Sequence, residues 1–363
     1  MKVISLSRSK YRLITLKPIF ETDKKALFFT DHALSILKCI IFCLKNKKKK
    51  INIYFCDGDI NTINFLILKF FLKINKLGII WFNSIIEIKY FCNPEQFEHY
   101  IFFPEQIKYT DTKLKIKHLL CYPTIIKNQN NSYEYNITYI SEVKKDINNE
   151  FYPHISFLDN KFIKFLDEKI WEIIKKNNLI NLSNIDLIKK VFENIFIEKN
   201  QIFNNSILIE IYILIKNRIR FMGIKIIQNL FQDDLILIGK SWKENGFKTF
   251  DDNNKYDYNR NINLYKKTKI PLDFGANSGE YPLYPRTYEI IKNANWLMQS
   301  NTRYSKILFG KFHKKVTFNN FYEMKIKIKK TINQNNKFSF IEKNNFIKNF
   351  NLRKKFFLKN SKL

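Results

Sequence analysis

Pro271-Leu-Asp-Phe-Gly-Ala-Asn-Ser-Gly-Glu-Tyr-Pro-Leu-Tyr-Pro-Arg-Thr-Tyr-Glu289 is the stretch on which the fold turns. The chain holds only eight glycines and eight prolines in 363 residues, so two glycines and three prolines in one run mark a built loop. The run opens as a strand, becomes a loop and enters a helix after Pro285. Proline suits a first helical turn because its missing N–H would have no helical partner there. A glycine-bearing loop between a strand's carboxyl end and a helix N-terminus is where α/β sheets hold phosphate-containing ligands. Free amides and the positive helix end both favour an anion. Arg286, in the first turn, is placed to fork onto a diphosphate. Glu289, one turn on, either accepts hydrogen bonds from ribose or sugar hydroxyls or serves as a favourable N-terminal helix charge paired with Arg286.

Outward from this run, strand and helix textures alternate, which argues for a parallel α/β sheet. Toward the N-terminus, Ala26–Thr30, Ile51–Phe55, Gly78–Phe82, Tyr100–Phe103 and Leu119–Ile126 read as strands. His32–Leu44 and Asn61–Lys73 read as helices between them. Asn128–Glu134 is polar and reads as a linker. Beyond it, Ile137–Ile140, Leu235–Ile238, Ile270–Phe274, Leu297-Met298 and Val316–Phe318 read as strands. Phe162–Phe196, Ser206–Phe231, Phe321–Thr331 and Phe346–Leu358 read as helices, and Asp251–Asn263 as a polar loop. The expected organisation is an N-terminal domain over 1–130, a second over 131–335 and a basic C-terminal helix or tail over 336–363.

The apolar content of 45% suits folded domains rather than disorder. The formal charge is +30, from 63 basic and 33 acidic residues. The lysines are scattered and accompany abundant Asn, Ile and Phe, as an A/T-rich genome would produce. Such a surface draws polyanions without selectivity, and more weakly as salt rises. The five cysteines are odd in number and include no C-x-x-C pair. Neither a disulfide framework nor a zinc site is indicated, which fits a reducing compartment. No signal-peptide segment or run of about 18 uncharged apolar residues is visible, so a cytoplasmic location is expected.

The resemblance rests on residues 234–330. Leu283-Tyr-Pro-Arg-Thr-Tyr-Glu-Ile-Ile291 follows a strand ending Asp273-Phe-Gly275, and Trp296-Leu-Met-Gln-Ser300 follows the helix. Upstream lies Leu235-Ile-Leu-Ile-Gly-Lys-Ser-Trp242; downstream lies Val316-Thr-Phe-Asn-Asn-Phe-Tyr-Glu323. This pattern resembles the C-terminal donor-binding domain of GT-B glycosyltransferases, in the branch related to spore-maturation-protein glycosyltransferases. Arg286 and Glu289 match that branch's Arg-x-x-Glu. The resemblance implies two Rossmann-like domains facing a central cleft. It also implies transfer of a sugar from a nucleotide-diphosphate donor to a surface-glycan or lipid-linked acceptor, with no cofactor and no metal. The implied donor-binding set is Gly239, Trp242, Gly275, Asn277, Gly279, Tyr284, Arg286, Thr287 and Glu289. Glu289 would hold the ribose, and Arg286 with the loop amides the diphosphate, stabilising the leaving nucleotide electrostatically.

This sequence departs from the family in two places. Many retaining members separate two glutamates by seven residues, whereas Glu280 and Glu289 have eight between them. The helix ends Asn293-Ala-Asn295 instead of in small residues and Gly. These departures motivate a rival reading, a GT-B-shaped nucleotide- or glycan-binding protein without turnover. A charge-driven nucleic-acid binder is a third, without any aromatic-basic signature or zinc spacing to support specific recognition.

Asp31-His32 stands where a strand yields to a helix, the place for an inverting transferase's general base; the alternative is that Asp31 caps the helix. Asp57-Gly-Asp59 ends the next strand, as an Asp-rich turn does. The helix through Leu37, Ile40, Ile41 and Leu44, followed by Lys45 and 47–50, has the composition of an element that adheres peripherally to an anionic membrane at its inner face. A helix packed on a sheet with a solvated basic loop fits equally.

Overall fold

The computed structural model describes residues 2–6, 27–30, 33–47, 49–56, 62–81, 97–101, 116–119, 122, 132–144, 146–149, 151–250, 257–275 and 283–360. The protein is α/β, with two parallel sheets in two units. One unit comprises Met1–Pro123 and Asn351–Leu363, the other Thr124–Phe350. The divisions at 123/124 and 350/351 stand beside the expected 130/131 and 335/336.

In the first unit the strands are β1 (Lys2–Leu6), β2 (Leu27–Phe29), β3 (Lys50–Cys56), β4 (Lys73–Trp81), β5 (Glu98–Ile101) and β6 (Ile116–Leu119). They pair in the order β2-β1-β3-β4-β5-β6, every pair parallel. Helix α1 (Ala33–Lys45) joins β2 to β3, and α2 (Thr62–Phe71) joins β3 to β4. Cys39 and Cys43 of α1 and Leu68 of α2 are buried with Phe29, Ile51, Ile53, Phe55 and Ile79 of the strands. Burial drives the Cys39 thiol up to about 12, with Cys43 adding to the rise, and also raises Cys43, so both are inert apolar groups. Gly78 is needed for packing: a Cβ there would lie 2.7 Å from the Tyr54 ring and 2.8 Å from that of Tyr100.

The second unit has β7 (Tyr135–Ile140), β8 (Leu235–Ile238), β9 (Thr268–Asp273), β10 (Met298–Ser300) and β11 (Thr317–Phe318), ordered β11-β10-β9-β7-β8 and parallel throughout. Between β7 and β8 run α3 (Asn160–Lys176), α4 (Leu179–Leu182), α5 (Ile185–Glu198) and α6 (Asn205–Leu230). Then α7 (Tyr258–Lys267) precedes β9, α8 (Pro285–Asn293) precedes β10, and α9 (Ser305–Phe309) with α10 (His313–Val316) precede β11. Two helices close the chain, α11 (Phe321–Ile332) and α12 (Phe340–Asn360). The starts follow capping chemistry: Asp159, Asn184, Asn204 and Asn320 each accept backbone N–H groups of the turn they open.

Both sheets therefore wind alike. The second strand lies on one side of the first, and the third and later strands run out on the other. This is a doubly wound pattern, compatible with the Rossmann-like α/β class.

Two elements differ from the sequence expectation, and a third falls mostly outside the described residues. Lys2–Leu6 is a strand paired on both sides. Leu119–Ile126 is expected as a strand; β6 spans Ile116–Leu119, and of the remaining stretch only Tyr122 lies among the described residues. Asp251–Asn263 was expected as a loop, yet α7 begins at Tyr258, capped by the Asp257 carboxylate, which accepts from Arg260 N at 3.0 Å. Its buried positions are Asn261, Leu264 and Tyr265, so the inward face is partly polar and the apolar period faint.

Helix α6 forms the spine of the second unit. It is buried on nearly all sides, including Glu210, Lys216, Asn217, Arg218 and Arg220. Glu210 accepts from the backbone N–H of His154 (3.0 Å) and Ile155 (2.8 Å) and lies 2.6 Å from His154 Nδ1. Asn217 donates to Tyr152 Oη at 2.7 Å, and Arg218 pairs with Asp167 at 2.9 Å. At Gly223 the helix passes so near the sheet that a Cβ would sit 2.4 Å from Phe274 Cζ.

At the end of the chain, α12 buries Lys343, Ile347 and Phe350, and Lys343 Nζ donates to Ala294 O. Burial lowers the Lys343 ammonium to about 8. Farther along, Asn351 brackets Tyr122: its Nδ2 donates to Tyr122 O at 2.8 Å and its Oδ1 accepts from Tyr122 N at 3.3 Å.

Candidate functional site

In the second unit the winding reverses between β7 and β9, and the carboxyl ends of those strands flank the switch point, where open α/β sheets bind ligands. The β7 side is closed by packing. Gly239, just after β8, has φ +140°, and a Cβ there would fall 2.0 Å from Ser141 O, so the chain approaches at a distance only glycine permits. Ser241 follows at φ +70°, a strained left-handed backbone for a residue with a side chain. Trp242 is fully buried, its indole Nε1 donating to Ser141 O at 2.5 Å and its ring edge-on to Tyr139 and Phe247. In the described structure Trp242 packs inward and ties the segment after β8 to the end of β7.

The β9 side is polar and gathers several of the anticipated residues around one carboxylate. Asp273, the last residue of β9, is fully buried. Its Oδ1 accepts from Gly275 N at 3.0 Å and Tyr284 Oη at 2.7 Å; its Oδ2 accepts from Thr287 Oγ1 at 2.5 Å and Gln299 Nε2 at 3.1 Å. The loop, the start of α8 and the middle of β10 are thereby tied to one point. Tyr284 and Thr287 each donate their hydroxyl to this hub, which ties the loop and the start of α8 to the end of β9. Burial pushes the Tyr284 phenol well above its ordinary value; Arg286 opposes that, Asp273 adds to it, and Arg220 opposes it. Tyr284 is thus held as a donor.

Around this hub lie the groups suited to an anion. Gly275 has φ +84°, turning the chain from β9 into the loop. Its carbonyl accepts from Arg220 Nη2 at 2.7 Å, and Arg220, reaching across from α6, is only 2% exposed. Arg220 Nε and Ser300 Oγ are buried without a hydrogen-bond partner among the described residues. A Cβ on Gly275 would be 3.6 Å from Ser300 Oγ, which puts that hydroxyl against the loop. Pro285 occupies the first turn of α8, and Tyr284 at the N-cap makes no side-chain cap. Arg286 is half-buried, its guanidinium carbon 5.6 Å from the Tyr284 ring centroid. Glu289 is buried in the same helix, and its backbone carbonyl accepts from Asn293 Nδ2.

Of the anticipated donor set, then, Gly275, Tyr284 and Thr287 meet at Asp273, Arg286 and Glu289 share the first turns of α8, and Gly239 with Trp242 closes the neighbouring strand end. Asn277, Gly279 and Glu280 lie outside the described residues, as do Asp31, His32, Asp57 and Asp59. Arg220 went unremarked in the sequence, and Asp273, Gln299 and Ser300 were read only as parts of strands, without a role in the site. An acid ending an apolar strand and an arginine inside an apolar helix were the available signals.

Comparison with known proteins finds no matching family model, no matching curated protein and no matching solved structure.

Proposed function

We propose that the chain is a glycosyltransferase of the GT-B class that moves a sugar from a nucleotide-diphosphate donor to a surface-glycan or lipid-linked acceptor. The observation that carries this reading is the Gly275 turn at the switch point, braced by Asp273 from within and by buried Arg220 from behind. A guanidinium with an N–H unused among the described residues, a buried hydroxyl and a start of α8 without a side-chain cap among them suit a diphosphate better than a neutral ligand. In this role Arg286 meets the diphosphate from the first turn of α8, and Glu289 receives the ribose hydroxyls. The positive groups act on the charge that grows on the leaving nucleotide. The shared winding of the two sheets supports the two-domain arrangement.

A thermal-shift panel of UDP, GDP, CMP and their sugars tests it on the wild type, Arg286→Ala and Glu289→Ala. A ligand at a hundred times its Kd adds about 2.7 kcal/mol, a rise of several degrees. Stabilisation of the wild type by one nucleotide diphosphate, lost in both variants, is the expected result. Silence across the panel with folded protein overturns the proposal. Binding without donor hydrolysis or transfer assigns the site to a protein that holds nucleotides without turnover.

A further inference from the structure

We propose that α1 and α2 together form a face that docks on an anionic lipid bilayer. The inference does not rest on the sugar-transfer reading. The steps β2 to β3 and β3 to β4 run in the same direction across the sheet, and right-handed crossovers of that kind set both helices on one side. There α1 and α2 pack against each other.

Their inward faces fill the core of the first unit, while their outward faces are also apolar. On α1, Leu34, Leu37, Ile41 and Leu44 are exposed, Leu34 to 65%. On α2, Ile63, Leu66 and Phe70 are exposed, Phe70 to 84%. The spacings are three or four residues, so each helix carries one continuous stripe. Leu352 is the only other large apolar side chain that the first unit exposes among the described residues. Scattered exposed apolar side chains are ordinary, whereas seven on two adjoining helices make a patch.

Charge identifies the occupant. Lys38, Lys45 and Lys69 share the exposed faces, Lys47, Lys49, Lys50 and Lys73 stand at the helix ends, and no acidic residue occurs in 33–56 or 62–81. A second copy docking here would set lysines against lysines. A nucleic acid would use the lysines and leave the aliphatic stripe in water. An anionic bilayer satisfies both: the stripes sink to the level of the acyl chains, and the lysine stems reach back to the headgroups. No helix among the described residues is long and apolar enough to cross a membrane, so the contact is peripheral.

Flotation of the full chain with phosphatidylcholine vesicles, with and without phosphatidylglycerol, tests the proposal. The variants are Leu37→Ser/Ile41→Ser and Phe70→Ser, which leave the charge unchanged, with Phe157→Ser, an exposed aromatic of the second unit, as control. Far-UV circular dichroism and Tm confirm that each variant is folded. The wild type is expected to float with phosphatidylglycerol vesicles, the stripe variants to bind at least about tenfold more weakly, and the control to match the wild type. No binding to those vesicles overturns the proposal. So does binding that salt abolishes but the serine variants leave intact, because charge alone then explains it. A stripe variant that changes sedimentation velocity in the absence of lipid assigns the face to a second copy and overturns it too.

Discussion

The two units wind their sheets alike and break the oil-drop rule in opposite directions. In the first, helices α1 and α2 turn Leu37, Ile41, Leu66 and Phe70 to water. In the second, helix α6 turns Glu210, Lys216, Arg218 and Arg220 to the interior. The outward exception costs a monomer little, since much of any protein's surface is apolar. The inward one is demanding, because a buried charge needs partners. The structure supplies them: His154 for Glu210, Asp167 for Arg218, the Gly275 carbonyl for Arg220. One topology thus hosts a surface with an interaction still to make and an interior whose polar groups specify a single arrangement.

That contrast is open to attack, most forcefully at Asp273. Asp273→Ala strands four donors in the interior and is expected to cost about 3–5 kcal/mol in urea unfolding, with Asp273→Asn costing less because it keeps one acceptor. A cost near that of a surface substitution would break the comparison outright.

Lys343 sharpens it through pH. Its folded value, about 8, lies below the ordinary 10.5, so between those values the unfolded chain holds the extra proton and stability rises with pH. Below pH 8 the full penalty of the buried ammonium applies. Lys343→Met is therefore expected to gain about 1–3 kcal/mol on the wild type near pH 7, less the bond to Ala294 O, with the gain shrinking toward pH 10.5. A pH-independent difference across that window contradicts this account.

Gly223→Ala sets two effects against each other. Alanine favours a helix by about 1 kcal/mol over glycine, while its methyl would press into the Phe274 ring at a cost of about 1–3 kcal/mol. Net destabilisation is expected, with the β9 loop displaced; net stabilisation would show that Phe274 moves freely. Smallest of all, Leu37→Ser/Ile41→Ser should shift stability by no more than about 0.5 kcal/mol per site, since neither side chain is buried. A larger loss means the stripe is already covered.

Much of this was legible in the sequence where a signal was local. The strands at Ile51–Phe55, Ile137–Ile140, Leu235–Ile238 and Ile270–Phe274 and the helix at Ser206–Phe231 announced themselves through apolar runs of the right length. The Gly275 turn and Pro285 were visible as chain punctuation. The hub was not, because Gly275, Tyr284, Thr287 and Gln299 reach Asp273 from three successive elements, a convergence no window of sequence contains. The sequence left Trp242 open for the converse reason: an aromatic beside a glycine reads alike whether it faces a ligand or the backbone of the neighbouring strand. The α7 helix was hidden by Asn261, a polar residue on its buried face.

The bracket that Asn351 places on Tyr122 bears on the order in which the protein is made. The first unit begins the chain, but its Asn351 segment leaves the ribosome only after everything from Thr124 to Phe350. N-terminal domains ordinarily fold first during synthesis. Here the earlier-born unit's sheet is without the clasp on Tyr122 until its neighbour has been translated. A stall or cut near residue 350 would deprive the first unit, not the second, of its final piece.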